Sequence, residues 1–156
     1  MIEIEFDDAQ FQKFMRNKPE AVAEHVDSAL SRAALEVSRL VRKGAPKATS
    51  MLTNSIIPQR ERSLEHWVIA GAGYARDVEY GKRPGSPVSP ASILSWMKTK
   101  GITPRHGSMK SSSFLIARSI RHRGVAAQPF FRPALKIMRP RIKSLIEAGV
   151  KKGLAS

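Results

Sequence analysis

The chain contains no cysteine, which excludes disulfides and thiolate metal sites. No apolar run approaches the roughly 20 residues of a membrane helix. The N-terminus, MIEIEFDD, is acidic and alternating, whereas a signal peptide starts basic and turns apolar, so synthesis and folding in a cytoplasm are expected. Aromatics are sparse, at 6%. Acids nearly disappear from the second part. Residues 101–156 hold 12 Lys/Arg against Glu147 alone, while residues 1–100 hold 15 Lys/Arg against 12 acids. The net charge of +14 is therefore unevenly spread. Such asymmetry points to a polyanion or an acidic protein partner, or else to a solvated basic face.

What is present is the composition of a folded protein, 42% hydrophobic and 26% charged, and 156 residues favour a single domain over 1–156. Ile2, Ile4 and Phe6 alternate with acids as a short half-buried strand does, and Asp7 or Asp8 can cap a helical piece through about Arg16, with Phe11 and Phe14 on one side. Pro19 suits the first turn of a stronger helix. Its stripe of Val22, Val26, Ala29, Ala33, Val37 and Leu40 is helical in period, its acids come early and its cations late, and Gly44 with Pro46 ends it. The many alanines on that stripe allow close approach by a sheet or another helix. Ala45 to Ser55 reads as a polar loop. Ile56-Ile57 and Trp67 to Ala70 read as two strands joined by QRERSLEH, a hairpin tip in solvent.

YARDVEY, Tyr74 to Tyr80, fits one helical turn or a short strand. The Pro/Gly-rich stretch at 82–90 and the polar stretch at 103–113 read as mobile loops. Between them Ser89 and Pro90 start a short helix that Gly101 ends. Phe114, Leu115, Ile116 and Ile120 indicate a further helix to about Arg123. Pro133 begins the last helix, with Leu135, Met138, Ile142, Leu145 and Ile146, and Pro140 should kink it or mark its true start.

No catalytic constellation emerges. His25, His66, His106 and His122 share no metal-ligand spacing. GAGYAR, Gly71 to Arg76, lacks the third glycine of a dinucleotide fingerprint. Asp77, Glu79 and Lys82 can be forced into a metal-dependent nuclease arrangement, but their spacing is loose and nearby Arg76 or Lys82 can pair with the two acids instead. No enzyme activity and no cofactor are expected. Tyr74, Tyr80, Phe130, Phe131 and Arg132 are of the types found at interface centres, and they lie among prolines and glycines. The alternative is that the two phenylalanines complete the local core.

Four pieces, in order, resemble the neck and tail-completion (head–tail joining) proteins of long-tailed bacteriophages, a minor tail component or virion morphogenesis family. The first is a helix end followed by Ala45, Pro46, Thr49, Leu52, Ser55 and Ile56, with Ser50 where the family usually has glycine. The second is YARDVEYG, Tyr74 to Gly81. The third is the tryptophan helix, Trp96 to Ile102, found in some members. The fourth is IARSIRHRGVAAQPFFRPAL, Ile116 to Leu135. The resemblance implies an α+β fold, with a small antiparallel sheet flanked by a long helix in the N-terminal half and shorter C-terminal helices. It implies a homo-oligomeric ring, commonly a hexamer, at the head–tail junction of the virion. There it would join the head connector or stopper to the tail terminator or tail tube and let double-stranded DNA pass.

On that basis Glu79 is expected to pair with Arg132. Tyr74, Glu79, Tyr80, Phe130, Phe131 and Arg132 would make subunit or partner contacts, one phenylalanine facing inward and the other outward. Lys82, Arg83, Arg105, Lys110, Arg121 and Arg123 would line a DNA channel without reading sequence. The reading from a different class is a basic nucleic-acid-binding module.

Overall fold

The structure, a computed structural model, describes residues 19–47 and 50–155. The expected strand at Ile2–Phe6, the helical piece after it and Thr49 lie outside these residues. The fold is α+β, with six helices and a two-stranded antiparallel sheet among the described residues.

Two long helices set the frame. Helix α1, Pro19–Gly44, buries Val22, Val26, Ala33, Val37 and Val41, the stripe that its sequence period indicates. The last helix, α6, Phe131–Ala155, buries Phe131, Ala134, Met138, Ile142, Leu145, Gly149 and Gly153, steps of three and four residues along one face. The two run antiparallel. Gly44 meets Phe130 at one end, Arg141 Nε pairs with Glu36 at 3.2 Å midway, and Gly153 meets Val22 at the other end. The glycines allow this approach. A Cβ on Gly153 would lie 2.5 Å from Cα of Val22, and one on Gly149 would lie 2.9 Å from the carbonyl oxygen of His25.

Between these helices and along their sides lie short elements. Helix α2, Ser50–Asn54, sits inside the stretch expected to be a polar loop and inserts Leu52 into the core. Strand β1, Ile56–Arg62, pairs with β2, Glu65–Ala70, in the register Ile56 with Ala70, Pro58 with Val68 and Arg60 with His66. Ile56 is buried, and Val68 and Ala70 pack on the same core. Pro58 is tolerated because each strand of a two-stranded ribbon has an edge without a ladder partner. The polar residues expected to form a long tip instead continue the strands, leaving a two-residue turn at Ser63 and Leu64. That tip is tied down. Leu64 has φ of 62°, unusual for a side chain of its size, and its N–H donates to Oδ1 of Asp27 in α1 at 2.8 Å. His66 Nε2 and Arg60 reach the same carboxylate, each at 3.1 Å.

Helix α3, Ala75–Tyr80, resolves YARDVEY as helical. Then the chain leaves the core. Helix α4, Pro90–Lys100, and helix α5, Met109–Arg123, pack on each other through Met97, Ser113 and Ala117. The core cluster of the described residues takes nothing from 82–127. This segment is a projection joined to the body at a narrow neck. Lys82 and Val125 exchange backbone hydrogen bonds there, at 2.9 and 2.8 Å, and the N–H of Gln128 donates to the carbonyl of Val78 at 2.8 Å. Gly81 and Gly124 flank the bridge with φ of 74° and 75°. A Cβ on Gly81 would come within 2.6 Å of the Val125 carbonyl oxygen, and one on Gly124 would collide with that of Lys82. Both the positive φ and the crowding demand glycine.

Two expectations about these helices change. Met109 to Ser113, expected to be loop, is the first turn of α5. It is nucleated by a capping box in which Ser108 Oγ accepts from the N–H of Ser111 and Ser111 Oγ accepts from the N–H of Ser108. Helix α6 begins at Phe131 and runs on through Pro140. Pro140 is solvent-exposed, so the helical bond it cannot make is lost on the wet side.

Candidate functional site

The residues singled out in α3 and at the start of α6 meet at one buried carboxylate. Glu79 is 3% exposed. Its Oε2 accepts the N–H groups of Phe130 and Phe131 at 2.7 and 2.9 Å, and its Oε1 accepts that of Arg132 at 3.1 Å. The next residue, Pro133, has no N–H. The donors that the start of an α-helix leaves without partners are therefore all accounted for, three by Glu79 and the fourth by chemistry. The carboxylate also complements the positive end of the α6 dipole. Burial pushes the Glu79 carboxyl up. The N–H groups of Phe131, Phe130 and Arg132, with the Arg132 guanidinium, outweigh that and hold it below the ordinary carboxylate range.

Arg132 closes the site from outside. Its Nε donates to Glu79 Oε1 at 3.0 Å, its Nη2 donates to the Glu79 carbonyl at 3.2 Å, and its guanidinium stacks 4.9 Å above the ring of Tyr80. Glu79 and Arg132 thus pair as expected, within one chain. The phenylalanines depart from expectation. Phe130 is 2% exposed and Phe131 is 8% exposed, with ring centroids 5.4 Å apart, and both belong to the core that includes Val37, Val41, Leu52 and Ile56. Neither faces outward. The prolines do not hold an extended arm here, because Glu79 turns the chain into a helix at Phe131 and the helix draws both rings inward. Tyr74 and Tyr80 keep exposed surface.

The six basic residues expected to line a channel fall into two groups on the projection. Lys82 and Arg83 lie at the neck beside the end of α5, where Gly85 N–H donates to the carbonyl of Arg121 at 2.7 Å and Arg123 precedes the bridge at Val125. Arg105 lies in the turn between α4 and α5, and Lys110 in the first turn of α5, about 20 Å along the helix from its other end. Lys82 Nζ pairs with Asp77 at 3.1 Å. A nuclease built on Asp77, Glu79 and Lys82 therefore finds Glu79 turned inward and occupied by donors of its own chain. Among the described residues no group of three or more His, Asp or Glu is placed to hold a metal, and no helix is long and apolar enough to cross a membrane.

A cleft of about 690 Å³ between α1 and the hairpin is lined in part by Asp27, Ser31, Arg32, Pro58, Arg60 and His66. Its central acid is committed to the hairpin. Burial pushes the Asp27 carboxyl up, and the Leu64 N–H, His66 and Arg60 more than compensate, leaving it below its usual range. Asp27 escaped the sequence reading because nothing in its own helix marks it.

The charge distribution is sharper in the fold than in the sequence. Between Glu79 and Glu147 there are fourteen Lys/Arg and no acid, so this stretch carries the whole net charge of +14. Nine of the fourteen belong to the projection, residues 82–127. No family model, no curated protein and no solved structure matches this chain.

Proposed function

We propose that this protein is a structural component of a long-tailed phage virion that forms a homo-oligomeric ring, commonly six-fold, at the head–tail junction. In this role it joins the head connector or stopper to the tail terminator or tail tube, and DNA passes its centre without sequence-specific contact. One convergence supports this. The pieces that carry the family resemblance are spread from Ala45 to Leu135, yet Ala45, Leu52, Ile56, Ala75, Phe130 and Phe131 share a single core beside Glu79. The first two pieces and the end of the fourth thus meet in one core, while the tryptophan helix and the start of the fourth piece lie on the projection. The body would be the ring-building block, and the basic projection would reach toward partners or the lumen.

The test is genetic and visual. Removing the coding sequence from the phage or prophage genome that carries it should leave filled heads and separate tails in electron micrographs. A normal number of joined particles would overturn the proposal. The acid-free stretch also favours a second reading, a basic nucleic-acid-binding module. That reading requires the monomer to bind duplex DNA with an affinity that falls steeply as salt rises.

A further inference from the structure

We infer that the outer face of α5 is a docking surface for another protein, one that presents an apolar centre with an acidic rim. The inference stands whether or not the protein belongs to a phage neck. Helix α5 turns Ser113 and Ala117 inward, with Met109, Ile116 and Ile120 half-buried beside them. Its opposite face carries Phe114 and Leu115, which are 57% and 62% exposed. Lys110 lies one turn before Phe114 and Arg118 one turn after it, on the same face, and Arg121 follows Arg118 by three positions.

A single exposed leucine needs no explanation. An adjacent Phe–Leu pair bracketed by cations is different, because it has the apolar centre and charged rim of a protein interface. The projection has no acid of its own to satisfy that rim. A second copy of this chain offers fewer acids than its count suggests, since Asp27, Glu36, Glu65, Asp77 and Glu79 are engaged in ion pairs with their own chain. Self-association lost in the Phe114→Gln, Leu115→Gln variant would overturn the inference. Duplex DNA would answer the cations. Phosphate contacts, however, bury neither Phe114 nor Leu115, so DNA leaves the central feature unused. Charge complementarity and the apolar pair together select an acidic, amphipathic protein surface.

The test uses the full-length protein and fluorescence anisotropy. One labelled probe is a designed 20-residue peptide with leucines at helical spacing and glutamates between them. The others are a leucine-free peptide of equal charge, a random-sequence DNA duplex and phosphatidylserine vesicles. The leucine–glutamate helix should bind about tenfold more tightly than the leucine-free peptide, the ratio expected when burial of the apolar pair contributes on the order of 1.4 kcal/mol. Phe114→Gln with Leu115→Gln should erase that ratio and leave binding of the leucine-free peptide and the duplex unchanged. Lys110→Glu with Arg118→Glu should weaken both peptides. Both pairs of sites are exposed, and an unchanged melting temperature verifies that each variant folds. Equal affinity for the two peptides, preference for DNA or vesicles, no binding at all, or a ratio that survives the glutamine variant would each overturn the inference.

Discussion

The body and the projection are built by opposite rules. In the body, charge is matched at short range: Glu79 with Arg132, Asp27 with Arg60 and His66, Glu36 with Arg32 and Arg141. Its core buries Phe130 and Phe131, although Met51, Ile57 and Ile137 remain exposed singly on its surface. In the projection nine cations face no acid of their own segment, and Phe114 and Leu115 stand in solvent. The body answers Glu79, Asp27 and Glu36 within one chain, while the projection, apart from Lys82 paired with Asp77, has cations and no acid of its own. The aromatic contact residues expected at Phe130 and Phe131 thus have their counterpart on α5, in residues that sequence periodicity assigned to a helix without saying which way they point.

The contrast is most easily broken at Glu79. Glu79→Gln swaps a carboxylate oxygen for an amide that repels N–H donors, and it leaves buried donors at the start of α6 without partners. A loss of about 3–5 kcal/mol is expected, read from urea unfolding. The same carboxylate gives the body a pH dependence. Its folded pKa lies below the unfolded value, so its contribution is complete above the unfolded value of about 4.3 and is lost as pH falls through the folded value. The wild-type melting temperature should drop as pH is lowered from about 5 toward 3. Glu79→Gln should show a shallower drop, and equal slopes would remove Glu79 from the account.

The second largest effect belongs to the helix pair. Gly153→Ala places a methyl against the backbone of Val22 and should cost about 1–3 kcal/mol by forcing α1 and α6 apart. Alanine is ordinarily the better helix former by about 1 kcal/mol, so a stabilised Gly153→Ala would show that the close approach is not needed. The smallest effect is expected on the projection. Phe114→Gln with Leu115→Gln should leave stability within about 0.5 kcal/mol of wild type, as surface substitutions do. A loss of several kcal/mol there would erase the distinction between the two regions.

Much of the fold was legible because local signals and tertiary roles agreed. The stripe of α1 from Val22 to Val41, the stop at Gly101 and the core of the hairpin all follow from period and punctuation. The misreadings share one physical cause: the deciding partner is far away in sequence. Glu79 starts α6 from fifty-one residues upstream of Phe130, and no pattern around Phe130 declares it. Asp27 holds the turn at Leu64 from thirty-seven residues away, which made QRERSLEH resemble a free loop. Gly149 and Gly153 are poor helix formers by propensity, and their value appears only against α1. The start of α5 is the exception. Its Ser108 and Ser111 cap is local, but serine at the fourth position of the box is a weaker signal than the usual glutamate.

The neck has one more consequence. Because both chain crossings lie at a single backbone bridge, Val78 and Gln128 are already hydrogen-bonded neighbours at its base. Residues 82–127 therefore behave as an insertion into a body whose core takes nothing from them. Exchanging one such insertion for another of different length changes loop-closure entropy only slowly, by about 0.6 kcal/mol per doubling. A lineage could therefore replace the 82–127 module to follow a changing partner while Glu79 and the long helix pair stay as they are.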